Sequence, residues 1–512
     1  MPVRKSLVWN RWAKVNLGWH GRFLSAMHID SDRSVWILLT LFGTAWLTHL
    51  MSVALTAPMD NIEQWVWSHS LQWGYHKHPP LPTWLLAWAQ TLTSSSIMTS
   101  AVLGSACTLG STLIFTHLIR QIWGRPSAFI ALLAALCITF YNGRLNYYNH
   151  NVLLMLCVSL SALCWWNILT TGRLRWWMAL GASAGLGILS KYQYLLVLAP
   201  SACLLWQIKP WRHRVQMQGL FWAVLTAVLI CLPHLVWLWH QDLADSPIRY
   251  ALKTSKPDFL QNTSGISHRL HSGIWLMDLL FNRCLPALLL LLGLKAFSQP
   301  VNAPVSALAA RSDVPGDRFL LLWGSLPPLC ITLLGLTLGL DLQMQWGTAF
   351  AIWAVPVMML LLNVHQRWIC QSLTWIAAGM FVLIQGVLML HSYQTSAHGC
   401  CASPGGGSMR WRLLDSPALA RELEDAARNA IGGKFTVIAG PASIAGAVAL
   451  NLAEQPKVLI DGNLRISPWV HENELLESGV VEIWPPNKGP EDKNELASGW
   501  SWRIHAPDNN PF

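Results

Sequence analysis

Polar interruptions divide the first 390 residues into about eleven apolar runs, near 35–55, 97–118, 127–141, 151–170, 176–190, 192–206, 219–239, 275–297, 319–340, 347–363 and 369–390. A helix that crosses a bilayer needs roughly 20 mainly apolar residues. Most runs approach that length, and the third and sixth are short. Beyond residue 391 the pattern changes. Ala397 to Ser408 is a Gly/Ser/Pro linker, Ala418 to Ala430 has the period of an amphipathic helix, and Phe435 to Ala439 and Val458 to Ile460 predict strands flanking a small-residue helix, Ala442 to Ala453. The pattern thus predicts an all-α polytopic membrane domain with a small C-terminal α/β domain. The Pro-rich, charged stretch after Trp484 reads as a loose tail.

Charge orients the runs. Residues 1–34 form a basic N-terminal segment, with Arg4, Lys5, Arg11, Lys14, Arg22 and Arg33. Lys and Arg favour the cytoplasmic side. Alternate loops continue the bias with Arg120 and Arg125, Arg173 and Arg175, Lys209, Arg212 and Arg214, Lys295, Arg311 and Arg318, and Arg367. The loop near 240–274 departs from it, with Arg249, Lys253, Lys256 and Arg269. The alternation predicts a cytoplasmic N-terminus and an outer C-terminal domain, which requires an odd number of spans. The membrane domain is then 35–390, with a large first outer loop at 56–96, followed by the linker and α/β domain at 391–512.

Composition narrows the class. Of 512 residues, 53% are hydrophobic and only 12% charged, against about 25% charged in an ordinary soluble domain. The mean hydropathy is +0.36. The net charge of +10 is uneven: residues 391–512 hold 10 basic and 14 acidic side chains. The positive excess therefore lies in the membrane domain, where it reports topology; no basic patch with interleaved aromatics points to nucleic acid. Of eleven Cys, nine lie in or beside apolar runs, where Cys behaves as a small hydrophobe. There is no CxxC pair, and the adjacent Cys400 and Cys401 suggest no catalysis.

The membrane domain has few acids, which makes a general base easy to search for. On the predicted outer side or its edge stand Asp60, Glu63, Asp242, Asp245, Asp258, Asp278 and Asp341. Acids at a membrane edge are costly and mark function by default. Asp60 and Glu63 open a loop of about 40 residues that continues through Trp73-Gly74-Tyr75-His76-Lys77-His78-Pro79-Pro80. An interfacial aromatic belt accounts for part of this composition. It does not account for a carboxylate at one end and a cation at the other. His76 and His78 stand at i, i+2, a weak spacing for a divalent metal, and no required cofactor emerges.

This loop resembles the first outer loop of bacterial family 39 glycosyltransferases, through Asp60, Trp67-Ser68, Trp73-Gly74-Tyr75 and Lys77-His78-Pro79-Pro80-Leu81. The family is related to the protein O-mannosyltransferases and the lipid A aminoarabinose transferase. Leu186-Gly187-Ile188-Leu189-Ser190-Lys191-Tyr192 is similar to its Gly-Leu-Leu-Ser-Lys-Tyr segment. Arg144 to Asn151 sits where the family often has an Arg and Thr-Pro-Asp. The resemblance covers about residues 35–390. Two positions depart from the family: Asn61 follows Asp60 where the family usually has Glu, and Asn151 stands for the Asp of Thr-Pro-Asp.

The resemblance implies a GT-C fold and transfer of a sugar from a polyprenyl-phosphate donor to an extracytoplasmic acceptor (lipid A or core, polysaccharide or protein), by inverting single displacement in a bacterial inner membrane. Asp60 is the expected base, with Glu63 a substitute for the missing Glu. Lys77, Tyr75, Arg269, Lys191 and Arg144 are candidates for the donor phosphate. His78, Asp341, Gln343 and Gln345 are candidates for sugar or acceptor. The partners are the donor, membrane lipids and the acceptor. A transporter or lipid flippase is the alternative; it would favour charges within the spans, whereas the polar residues here cluster outside them.

Overall fold

The structure, a computed structural model, describes residues 31–93, 97–242, 246–256, 266–297, 314–365, 371–401, 413–431, 436–486 and 488–505. Asp245 and Asp258 lie outside the described residues. The membrane domain runs α1 (Asp32–Val53), α2 (Met59–Trp67), α3 (Leu81–Leu92), α4 (Ile97–Trp123), α5 (Arg125–Leu136), α6 (His150–Thr171), α7 (Leu174–Ser190), α8 (Leu198–Ile208), α9 (Arg214–His240), α10 (Pro247–Ser255), α11 (Ile266–Asp278), α12 (Leu285–Phe297), α13 (Gly316–Leu338), α14 (Thr348–Ala351), α15 (Ala354–Leu361) and α16 (Gln371–Gln394).

Every predicted apolar run contains helix among its described residues, but the runs are not eleven equal spans. Among the described residues six helices, α1, α4, α6, α9, α13 and α16, are singly long and apolar enough to cross a membrane. Eight spans result if two bent pairs each count as one. The first pair bends by 58° where α11 passes through a π turn at Leu279–Arg283 into α12. The second bends by 69° between α14 and α15. A break inside a membrane frees backbone groups that need protein partners. At the second break Tyr141 supplies both: its hydroxyl donates to Thr348 O at 2.7 Å and accepts from Ile352 N at 2.8 Å. The short α5 is closed the same way, its Leu136 carbonyl accepting from Gln385 Nε2 at 3.2 Å.

The C-terminal unit contains α17 (Ser416–Ile431), β1 (Val437–Gly440), α18 (Ala442–Asn451), β2 (Lys457–Ile460), α19 (Glu472–Ser478), β3 (Val480–Trp484), β4 (Asn494–Glu495) and β5 (Ser501–His505). Strand order is β2-β1-β3-β5-β4; β1 is parallel to β2 and β3, and β5 is antiparallel to β3 and β4. The predicted β-α-β unit is present. The expected loose tail is not: β4 and β5 complete the sheet, and the apolar rings of Trp500 and Trp502 are buried beneath them.

There are two large cores. One fills the helical bundle. The other lies in the α/β domain and includes Ile62, Trp65, Val66, Trp67 and Tyr75 of the 56–96 loop. The loop is thus packed into the C-terminal domain as well as onto the bundle. Trp502→Ala is expected to destabilise that domain by about 3–5 kcal/mol. Limited proteolysis should show faster cleavage within 436–505, with the bundle helices spared.

Candidate active site

α2 presents two faces. Asp60, Glu63, Gln64 and Trp67 follow i, i+3, i+4, i+7 spacing and share one face; Ile62 and Val66 share the opposite one. Pro58 sets the entry to the helix, with Ile62 N bonded to Pro58 O at 3.2 Å. Asp60 falls in the first turn, where a negative charge suits the helix dipole. After α2 the chain turns at Tyr75–His78, closed by reciprocal bonds, Tyr75 N to His78 O at 3.0 Å and His78 N to Tyr75 O at 3.2 Å. This turn projects Lys77 back toward α2. Gly74 is needed there because a Cβ would lie 2.3 Å from the ring of Trp237 on α9.

Lys77 Nζ donates to Glu63 Oε1 at 2.5 Å, both side chains being largely buried. Burial pulls the Lys77 pKa down, but the charge of Glu63 and this hydrogen bond outweigh it and hold the ammonium above its usual range. The ring of Tyr250 lies 5.5 Å from Nζ. Glu63, expected as a substitute for the missing Glu, is the partner of Lys77.

Asp60 is held from α6. Asn149 Oδ1 caps that helix, accepting from Asn151 N at 2.9 Å and Val152 N at 3.2 Å, while its Nδ2 donates to Asp60 Oδ2 at 2.7 Å. One amide thus ends a helix and orients the carboxylate. Asn61, fully buried, cross-links the next layer: Nδ2 donates to Ser100 Oγ at 2.8 Å and Asn146 O at 2.9 Å, and Oδ1 accepts from Tyr148 N at 2.8 Å. A carboxylate at position 61 would lose both donated bonds.

Lys191 follows α7 directly. Ser190 Oγ donates to His150 O at 2.9 Å, which seats the next residue beside α6, and Lys191 Nζ donates to Asn151 Oδ1 at 2.7 Å. Burial lowers the Lys191 pKa from 10.5 to about 8, the charge of Asp60 opposing the fall.

These groups line a cavity of about 370 Å³. One end is polar, with Asp60, Glu63, Lys77, His78, Asn149 and Lys191. The other is apolar, with Leu195, Leu196, Ile331, Leu334 and Leu340. Leu195 and Leu334 are 52% and 43% exposed, so the apolar end reaches the surface of the bundle. A second cavity of about 190 Å³ is lined by Met59, Phe140, Arg144, Tyr147, Val152 and Thr348. Asp60, Asn149 and Gln345 line both, so the carboxylate stands between them.

The sequence candidates divide accordingly. Asp60, Glu63, Lys77, His78, Lys191 and Gln345 converge on the larger cavity. Arg144 is separated from both lysines; its guanidinium lies over the rings of Phe140 and Tyr147 in the smaller one. Tyr75 is not brought to either cavity: its ring stacks on Trp67 at 5.3 Å and its hydroxyl donates to Ser70 O at 2.8 Å. Arg269 is exposed on α11 and outside both linings. Asp341 pairs with Lys256 at 3.9 Å, and Gln343 offers its carbonyl to Trp275 Nε1 at 3.1 Å; neither lines a cavity.

His78 packs against His150, ring centroids 3.8 Å apart, and His76 lies edge-on to Trp67. Burial drives the His76 pKa down to about 3 and that of His78 well below its usual value, so both are neutral. Among the described residues no cluster of three His, Cys, Asp or Glu side chains could hold a metal. Asn149, His150, Gln64, Tyr250 and Trp346 line the larger cavity without having been singled out in the sequence. The signal for Asn149 was its place before an apolar run, where Asn is a preferred cap.

A family model described as dolichyl-phosphate-mannose-protein mannosyltransferase matches residues 77–237. An undecaprenyl phosphate-alpha-4-amino-4-deoxy-L-arabinose arabinosyl transferase of Pseudomonas aeruginosa is 28% identical over 364 residues, covering 63% of this chain and 62% of the relative. The lipid A galacturonosyltransferase RgtD of Rhizobium johnstonii is 24% identical over 40% of this chain and 44% of its own length. The fold matches the crystal structure of ArnT from Cupriavidus metallidurans bound to undecaprenyl phosphate, with a TM-score of 0.58, 11% identity, and coverage of 93% of this chain and 98% of that one. The chain thus spans about three fifths of the length of the P. aeruginosa relative.

Asn61→Asp is expected to cost about 3 kcal/mol, by breaking two donated bonds and burying a charge without a partner. A lowered thermal midpoint of the detergent-solubilised protein checks this.

Proposed function

We propose that this chain, a GT-C-fold relative of the protein O-mannosyltransferases and of ArnT, is an integral-membrane glycosyltransferase that draws its sugar from a polyprenyl-phosphate donor. The observation that carries the reading is the amphipathic cavity. Its polar end joins a carboxylate to two cations, and its apolar end reaches the surface of the bundle. A ligand with a phosphate head and a long apolar tail fits both ends at once. The larger cavity takes the donor, with its phosphate against Lys77 and Lys191. The smaller cavity admits the acceptor, on the other face of Asp60. The polar end lies on the outer side of the membrane, with the N-terminus cytoplasmic.

The reaction is a single displacement at the anomeric carbon. The acceptor hydroxyl attacks as Asp60 takes its proton. The bond from the anomeric carbon to the phosphate oxygen breaks, and the lipid phosphate leaves with the electron pair. The lysines stabilise the charge that gathers on it. Attack on the face of the anomeric carbon opposite the departing phosphate inverts that centre, so one base suffices and no protein nucleophile is required. Kinship raises glycolipid to the first acceptor class to test, since relatives are named for lipid A and arabinosyl transfer.

Asp60→Asn is expected to lower kcat about 10²–10⁴-fold while still binding polyprenyl phosphate. The check is transfer from a radiolabelled polyprenyl-phosphate sugar in proteoliposomes, with mass spectrometry of the product; a folded Asp60→Asn protein with wild-type kcat would remove Asp60 as the base. Lys191 is cationic below pH about 8 and neutral above it. The donor kcat/KM, which reports the free enzyme, should therefore fall as pH rises through that value. Lys191→Met should lower kcat/KM at neutral pH and lose that limb.

A further inference from the structure

We infer that the C-terminal α/β domain is a working part of the transfer site, because through Gly446 and Thr56 it fixes the helix that bears Asp60 and Glu63. The inference rests on the function proposed above and adds two positioning residues to it. α18, the small-residue helix between β1 and β2, lies directly on α2. A Cβ on Gly446 would stand 2.6 Å from Ile62 Cγ2 and 2.8 Å from Val66 Cγ2. Both neighbours are branched at Cβ and stiff, and each is 1% exposed. They have little room to swing aside, so an added methyl forces α18 and α2 apart and strains the seat of α2.

The second tie lies four residues before Asp60. Thr56 is buried, and its hydroxyl donates to Leu414 O and accepts from Ser416 N at 3.1 Å. Ser416 begins α17, and its Oγ accepts from Asn451 Nδ2, at the end of α18, at 3.1 Å. The chain entering α2 and the helix lying on α2 are therefore held by the same few residues of the domain. Asp461, in the turn after β2, is set by a bond from its N to Gly440 O at 3.0 Å, and its charge is felt at both Glu63 and Lys77.

Contact passes from α18 to α2, from Glu63 on α2 to Lys77, and from Lys77 to the proposed phosphate position. Asp60 moves with the same helix. A displacement of about 1 Å at reacting groups can cost 10²-fold in rate, so the effect of a single methyl should be large.

The test uses the full-length protein in proteoliposomes. Gly446→Ala is expected to lower transfer about ten- to a hundredfold. Ile62→Ala, which removes the nearer methyl, should restore most of it in the Gly446→Ala background. A second readout does not depend on transfer. Acylation of Lys77 by a small amine-reactive ester, quantified by mass spectrometry against exposed Lys488, should rise several-fold in Gly446→Ala and fall back in the double variant. If Lys77 labelling responds and is rescued while no protein transfers sugar, the clamp stands and the transferase reading fails. Folded Gly446→Ala protein with wild-type transfer and wild-type Lys77 labelling overturns the inference, as does a loss of transfer with unchanged labelling and no rescue. Should Gly446→Ala not fold, Thr56→Val, which breaks both hydrogen bonds of that hydroxyl, is read by the same two measurements with the same outcomes.

Discussion

Asn149 holds Asp60 to the N-terminus of α6, and the rest of the site is arranged around that bond. A carboxylate beside a cavity with an apolar end has little water to stabilise it, so protein dipoles must do so. The amide of Asn149 performs two tasks with its two ends, because a helix start offers free N–H groups to its oxygen and leaves its nitrogen to donate. The next residue along α2, Asn61, repeats the device one layer deeper, bonding to Ser100, Asn146 and Tyr148. With two consecutive side chains tied into the bundle, α2 has little freedom to slide. Its other face is fixed by the C-terminal domain.

The electrostatic design follows from burial. Two lysines face one cavity, and each is given a different partner. Lys77 has a full carboxylate, Glu63, and stays charged in spite of its burial. Lys191 has a neutral amide, Asn151, and its charge is weakened. The neutral amide of Asn151 therefore leaves Lys191 less neutralised than Lys77. In the proposed reaction Lys191 is the cation with most to gain from an arriving phosphate, since no protein carboxylate competes for it directly. Arg144 lines the smaller cavity, so in the proposed reaction a third cation stands on the acceptor side of Asp60.

The legible part of the sequence was what depends on composition and local spacing. Apolar runs of span length appeared as helices because a bilayer-facing helix must be apolar throughout. The strands at 437–440 and 457–460 were legible for the same local reason, being short, apolar and flanked by turn residues. Asp60, Lys77 and Lys191 stood out because charges are scarce in such a chain, and all three line one cavity. The bends at Leu279–Arg283 and between α14 and α15 were not legible, since their freed backbone groups are satisfied by residues far away in sequence, such as Tyr141. Nor was the final hairpin, whose charged, Pro-rich sequence is ordered by only a few buried positions, Trp500 and Trp502 among them.

The sequence by itself determined that this is a membrane protein with a long loop after its first span rich in candidate chemistry, because hydropathy and charge are properties of each residue wherever it lands. Which candidates meet was decided only by tertiary structure. Tyr75 and Lys77 are two residues apart, yet the Tyr75–His78 turn sends one ring into the C-terminal core and the other side chain to Glu63. Arg144 and Lys191 look equivalent as phosphate ligands in a list of cations, yet the body of Asp60 and Asn149 stands between their cavities. Distances between side chains on different helices depend on packing across the whole bundle, and no local pattern encodes them.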